Sequence, residues 1–254
     1  MNTENYLRRI GIEDTALAAD LDNLKFLQRQ HLLNVPFENL DIHWKRPIVL
    51  ETGAFYKKII GERRGGFCYE LNGLFYRLLG EIGYQGKMIS AQVSRGNDDF
   101  SPEHSHLAIL TRIGDEEYLV DVGFGDFTAE PLRFHLDLEQ QDANGTFLIR
   151  KFDENYFEIV KKDGENWQSE YIFKNLERNL DEFTEMCHFQ QTSPESHFTR
   201  KKICSLMTNE GRKTLTAAKF IETKNKQKNE FNVDSEAEFN EILEREFHIK
   251  PSLG

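Results

Sequence analysis

Arg64-Gly65-Gly66-Phe67-Cys68-Tyr69-Glu70-Leu71-Asn72-Gly73-Leu74-Phe75-Tyr76-Arg77-Leu78-Leu79-Gly80-Glu81-Ile82-Gly83 is the stretch that decides the fold. Leu71, Leu74, Phe75, Leu78, Leu79 and Ile82 recur at i, i+3, i+4, i+7 and i+8, the spacing of one buried helical face. Two successive glycines rarely continue a helix, so the helix is predicted to begin at about Phe67-Cys68. Gly83 sits where a helix C-terminus favours glycine. Cys68 therefore falls at a helix N-terminus, where unpaired amides and the helix dipole favour an anion. Both effects raise the thiolate fraction of a cysteine. Gly65 and Gly66 leave room for a ligand or another backbone to come close.

Upstream, the first ~80 residues read as helical. Leu17, Leu21, Leu24, Leu27 and Leu32 follow near-helical spacing, and Pro36 is expected to end that segment. A second helical stretch is predicted from about Leu50 to Ile60. Downstream of Gly83 the period changes from 3.6 to 2. Met88 to Val93, Leu107 to Ile113 and Tyr118 to Val122 read as strands. Phe147 to Phe152, Tyr156 to Lys161 and Trp167 to Phe173 continue as a meander, with Asp163-Gly164 as a turn. A short helix is expected around Leu180 to Phe189, and two strands flank Asn209-Glu210-Gly211. Lys224 to Asn229 reads as a polar loop tip. Ser235, with Glu238 three residues on, forms a capping box for a last helix buried through Phe239, Ile242, Leu243 and Phe247. Helices first, then antiparallel strands, then a mixed tail make an α+β chain. The expected divisions are residues 1–83, helical and carrying the cysteine; 84–190, an antiparallel sheet or barrel; and 191–254, a mixed α and β tail.

Composition narrows the function. With 254 residues, 20 Phe and 8 Tyr, the chain can bury a real core. The net charge of −11 argues against nucleic acid as the main partner, because phosphate binding needs a basic face. The pairs Lys57-Lys58 and Arg63-Arg64 and the run Arg200-Lys201-Lys202 read as solvated surface. No apolar run reaches the ~20 residues that span a bilayer, and the N-terminus lacks a signal-peptide pattern, so a cytoplasmic location is expected. Cys68, Cys187 and Cys204 show neither zinc-knuckle spacing nor an even count for a disulfide framework. Free thiols and no metal are expected, and His31 is read as a structural histidine.

His106 opens one strand and Asp121 lies near the end of the next. If the hairpin loop is Ile113-Gly114, the two residues face each other directly. If it is Gly114-Asp115, Asp121 is the diagonal neighbour of His106 on the same face, roughly 7 Å away at Cα. A slip by one residue would put them on opposite faces. A thiol, an imidazole and a carboxylate are the parts of a nucleophilic triad. His104 shares the parity of His106 and is its rival, one pleat farther out. Val122-Gly123-Phe124-Gly125, directly after Asp121, allows close backbone approach to a ligand and equally suits a β-turn.

Arg64 to Asn72 resembles the active-site motif of the arylamine N-acetyltransferases. Pro36-Phe37-Glu38-Asn39-Leu40-Asp41 is similar to that family's upstream motif. His106 with the apolar residues after it, and then Asp121-Val122-Gly123-Phe124-Gly125, resembles its second half. Gln191-Thr192-Ser193-Pro194 with Ser196 and Phe198 resembles the opening of its third region. The resemblance implies a helical first domain, a β-barrel and an α/β lid around a core like that of the papain-like cysteine proteases. It implies a Cys68-His106-Asp121 triad, acetyl-CoA as co-substrate, and ping-pong acetylation of arylamines and arylhydrazines, often described as detoxification. It places Phe37 and Phe124 beside the acceptor and Gly125 beside CoA, and it leaves Glu38 and Arg64 as a structural ion pair. The same triad would also serve a thiol hydrolase or a transglutaminase-like enzyme, and a binding module would keep Cys68 for packing alone.

Overall fold

A computed structural model describes residues 1–251. The helices are α1 (Thr3–Arg9), α2 (Leu21–Asn34), α3 (Leu40–His43), α4 (Thr52–Tyr56), α5 (Cys68–Ile82), α6 (Thr184–Thr192), α7 (His197–Arg200) and α8 (Glu236–Phe247). The strands are β1 (Phe37–Glu38), β2 (Gln85–Gly96), β3 (Asp99–Phe100), β4 (His106–Ile113), β5 (Glu116–Val120), β6 (Leu132–Arg133) and β7 (Gln140–Asp142). They continue with β8 (Gly145–Lys151), β9 (Phe157–Asp163), β10 (Asn166–Phe173), β11 (Ile203–Thr208), β12 (Gly211–Thr216), β13 (Lys219–Lys224) and β14 (Gln227–Asn232).

The decisive helix forms as its pattern requires. The Glu70 carboxylate accepts from the Phe67 amide at 3.1 Å, satisfying a donor just before the first turn. Gly83, at φ 113°, ends the helix in the left-handed region. One face of α5 packs on α1, α2 and α4 through Tyr6, Leu7, Leu24, Leu27, Phe55 and its own Leu71, Leu74, Phe75 and Leu78. The outer face of the barrel closes this core with Ile109 and Val120.

Strands run in the order β6-β5-β4-β2-β10-β9-β8-β7, all antiparallel, with β3 on the side of β2. The two end strands meet through a side chain. Gln140 of β7 accepts from the Arg133 amide of β6 at 2.7 Å and donates to the Arg133 carbonyl at 3.0 Å. The sheet thus closes nearly into a barrel, filled by Ile89, Ala91, Ala108, Leu110, Phe147, Ile149, Ile159, Tyr171 and Phe173. Alternation puts Ala108 and Leu110 inside, and His106 shares their parity.

A second sheet, β1-β11-β12-β13-β14, is covered by α8. Phe239, Ile242, Leu243 and Phe247 are buried there, each contributing roughly 1.5–3 kcal/mol. The Ser235 hydroxyl caps the helix at the Glu238 amide.

Several elements differ from the sequence reading. Helix α2 begins at Leu21, not near Leu17, because the Asp20 carboxylate caps it at the Asn23 amide. The stretch after Leu50 starts at Thr52, and its last turn, Lys57–Gly61, is π-helical. Lys224 to Asn229 is not a single loop: Asn225-Lys226 is the tip, and 227–229 belong to β14. Phe37-Glu38, inside the segment read as helical, pairs with β11 of the second sheet. Helix α6 runs across the division expected at residue 190.

Candidate active site

The Gly65-Gly66 turn is held by backbone. Gly66 bridges Phe37 in parallel, and the Glu38 amide donates to the Gly66 carbonyl at 2.8 Å. A Cβ on Gly65 would lie 1.9 Å from the Pro36 carbonyl oxygen, so no other residue fits there. The close approach that these glycines allow is therefore to the 36–38 strand. Their result is a fixed position for Cys68 at the first helical residue. Among the described residues the Cys68 amide makes no backbone hydrogen bond, as the start of a helix leaves it.

The hairpin adopts the Gly114-Asp115 turn, with Ile109 opposite Val120. Asp121 lies one residue beyond the strand end, on the same face as His106. The side chains close the diagonal, with His106 Nε2 and Asp121 Oδ2 2.6 Å apart. This leaves Nδ1 for the thiol of Cys68, which lines the same cleft and whose proximity helps to raise the imidazole. Burial opposes a charge on His106, but the Asp121 carboxylate and the neighbouring Cys68 outweigh it and lift the imidazole to about 10. The ring therefore holds its proton at neutral pH.

Asp121 is saturated. Oδ1 accepts from Asn72 Nδ2 at 2.8 Å and from the Gly123 amide at 2.9 Å. Oδ2 also accepts from the Tyr171 hydroxyl at 3.2 Å. Asn72 further donates to the Leu107 carbonyl at 2.7 Å, and its Oδ1 accepts from the Val122 amide at 2.9 Å. One amide side chain thus ties α5 to both strands of the hairpin. A Cβ on Gly123 would lie 2.8 Å from both Cys68 Cα and Asn72 Nδ2, so this glycine is where the loop meets the helix. Sequence reasoning gave Asn72 and Tyr171 no role. A signal for Asn72 was at hand: a polar residue four positions after Cys68 on a face that packs inward.

Cys68 and His106 open onto a cleft of about 1350 Å³, and Asp121 stands behind them, 2% exposed. Phe37, Phe124 and Gly125 line the same cleft. The Phe124 ring lies 5.0 Å from the His106 ring and 5.1 Å from Tyr171. His104 does not join this set. Its ring meets the edge of Phe183 at 5.2 Å, and its carbonyl accepts from the Tyr69 hydroxyl. Cys187 and Cys204 are buried away from the cleft, and burial pushes Cys187 up to about 12 and Cys204 up as well. His31 is buried against Tyr6, whose hydroxyl pairs with Nδ1 at 2.8 Å, and burial lowers it to about 3.

Beneath the turn lies a charge cluster. Arg64 pairs with Glu38 and Asp41, each at 2.7 Å. Lys58, brought in by the π-helical turn, lies 2.8 Å from Asp41 and 2.9 Å from Glu70. Burial would strip the proton from Lys58, but Glu38, Glu70 and Asp41 hold it on more firmly than in water. The expected Glu38–Arg64 pair is thus part of a five-residue set that fixes the turn from below.

A profile of the N-acetyltransferase family matches residues 20–252. The chain belongs to the arylamine N-acetyltransferase family. It is 30% identical to the pineal gland isozyme of arylamine N-acetyltransferase from Gallus gallus, over 98% of this chain and 94% of that one. It is 30% identical to the arylamine N-acetyltransferase of Escherichia coli, over 87% of this chain and 79% of that one. The Mycobacterium marinum arylamine N-acetyltransferase solved in complex with CoA superposes with a TM-score of 0.90 at 27% identity, covering 98% of this chain and 93% of that one. In this family member no described helix is long and apolar enough to cross a membrane.

Proposed function

We propose that the chain transfers the acetyl group of acetyl-CoA to arylamines and arylhydrazines through an acetyl-Cys68 intermediate. The observation that carries this reading is the thiol of Cys68 sharing the wall of an aromatic-lined cleft with an imidazole that Asp121 holds at 2.6 Å. The solved complex of a relative with CoA supports the donor.

In the first half-reaction the Cys68 thiolate attacks the thioester carbonyl, and the tetrahedral oxyanion forms beside the free Cys68 amide. The carbon–sulfur bond to CoA breaks, and the His106 imidazolium supplies the proton to the departing CoA sulfur. In the second, the acceptor nitrogen attacks the acetyl-cysteine carbonyl, and neutral His106 takes the amine proton. The bond to Cys68 sulfur breaks, and the thiolate–imidazolium pair is restored. Asp121 fixes the ring orientation and stabilises its positive form. Phe37 and Phe124 offer faces for the aromatic acceptor, and the exposed Gly125 backbone lies at the cleft where CoA would enter.

Steady-state kinetics with acetyl-CoA and aniline test this. Parallel double-reciprocal lines for the wild type, no turnover by Cys68→Ala, and a fall of at least about a hundredfold for Asp121→Asn are expected. Intersecting lines, or turnover by Cys68→Ala, would overturn the scheme.

A further inference from the structure

Glu170 takes no part in the chemistry above, yet it faces it. It lines the same cleft as Cys68, His106 and Phe124. Its placement comes from a β-bulge. In β10, Ser169 pairs with Val160 and Tyr171 with Ile159, so Glu170 has no partner residue on β9. A bulge breaks strict alternation and re-aims a side chain. Consecutive residues here both serve the site: the Tyr171 hydroxyl donates to Asp121 and its ring touches Phe124, while Glu170 is turned to the cleft.

The Glu170 carboxyl has no hydrogen-bond or ion-pair partner among the described residues. Lys161 acts on it electrostatically, and cations of the cleft lining have partners of their own. Lys161, on β9, lies 3.3 Å from Asp126, and its ammonium sits 5.5 Å from the Phe147 ring centre. Arg212, reaching in from β12, donates to the Ser205 hydroxyl at 3.1 Å and lies 4.0 Å from Asp126. Arg95, at the β2 rim, leans toward Asp99 at 3.9 Å. Burial raises the Glu170 carboxyl to about 7, Lys161 opposing and Asp126 adding to the rise. A half-buried acid without a partner gains most from a cation delivered by a ligand.

We propose that Glu170 is an acceptor-recognition residue, whose carboxylate receives a positively charged substituent of the arylamine, so that the enzyme favours cationic acceptors over neutral and anionic ones. This rests on the acetyl-transfer reading, because the acceptor ring is taken to lie against Phe124. Tyr171 touches that ring, and Glu170 is the adjoining residue. A substituent extending from a ring stacked there and away from Cys68 meets the Glu170 side of the cleft.

The test separates the two half-reactions. Acetyl-enzyme is formed with acetyl-CoA, freed of excess donor, and discharged by (4-aminobenzyl)trimethylammonium, by its neutral isostere 4-neopentylaniline, or by 4-aminophenylacetate. The quaternary nitrogen cannot itself be acetylated. At pH 8 the wild type is expected to discharge the cation faster than the isostere, by a ratio on the order of tenfold above that of Glu170→Gln, with the anion slowest. Glu170→Asp should keep part of the preference. At pH 6, with the carboxyl mostly protonated, the wild-type ratio should shrink. The same ratio in wild type and Glu170→Gln, or an unchanged wild-type ratio between the two pH values, would overturn the proposal. So would a Glu170→Gln effect confined to acetylation of Cys68. If Glu170→Gln does not fold, the Glu170→Asp and pH comparisons decide. Failure of the acetyl-transfer reading would show separately, as no acetyl-enzyme or no discharge by any amine.

Discussion

Replacing Asn72 with alanine removes three buried hydrogen bonds at once. The bond to the Asp121 carboxylate involves a charged acceptor, a class worth ~1.5–3 kcal/mol. The Leu107 carbonyl and the Val122 amide would each lose a partner, at ~1–3 kcal/mol each. These losses share one site and are not additive, and a water in the vacated volume recovers part of them. A net cost of ~3–5 kcal/mol follows, which for a chain of this size lowers Tm by about 10 °C. The Gly123 amide would still bind Oδ1, but Asp121 would lose its tie to α5, and His106 would be held less well against Cys68. A fall in kcat on the order of tenfold to a hundredfold is expected for protein kept folded at low temperature. Calorimetry and single-turnover acetylation measure the two effects separately. Asn72→Asp should keep the shape yet slow the reaction further, because it sets a second carboxylate beside Asp121. If Asn72→Ala melts within about 2 °C of the wild type and reacts within about twofold of its rate, then Asn72 does not join the helix to the hairpin.

Gly123→Ala places a Cβ against Cys68 Cα, which cannot rotate away. Thiol alkylation and acetyl transfer should both slow by at least about tenfold, and a crystal structure should show the 123–125 loop displaced. Arg64→Met takes one paired cation from Glu38 and Asp41 and leaves Lys58 beside them, and urea denaturation should show a loss of ~3–5 kcal/mol. The raised His106 value gives a stability contribution that is full below the ordinary histidine value of about 6.5 and disappears as pH rises through about 10. The wild-type urea midpoint should therefore fall across that window more steeply than that of His106→Gln. Equal slopes would show that Asp121 does not hold the proton on the ring.

Much of this site is legible because it is local or periodic. The apolar spacing of α5 and the glycines at both ends put Cys68 at a helix start without any tertiary information. Strand parity puts His106 and Asp121 on one face under either of two turns, and leaves open a one-residue slip and the choice between His106 and His104. What was not legible is set by distant partners. Asn72 and Tyr171 act on Asp121 across 49 and 50 intervening chain steps, and no local pattern marks such a pairing. Of the buried charges under the turn, only Glu38 and Arg64 were foreseen. Lys58 looked like surface, because a helical pattern does not reveal the π-helical turn that carries it inward. Strand β14 was read as part of a loop because Gln227 to Asn232 is exposed throughout and has no hydrophobic alternation to read. Phe37-Glu38 is too short to show a period and owes its strand geometry to β11.

The central claim is that Cys68 carries the acetyl group. Intact mass spectrometry of the protein mixed with acetyl-CoA and no acceptor, beside Cys68→Ala, tests it most directly. The account predicts one acetyl adduct on the wild type alone, stable in water for many turnover times and discharged on adding an arylamine. An adduct on Cys68→Ala, or no adduct on either protein, would contradict it.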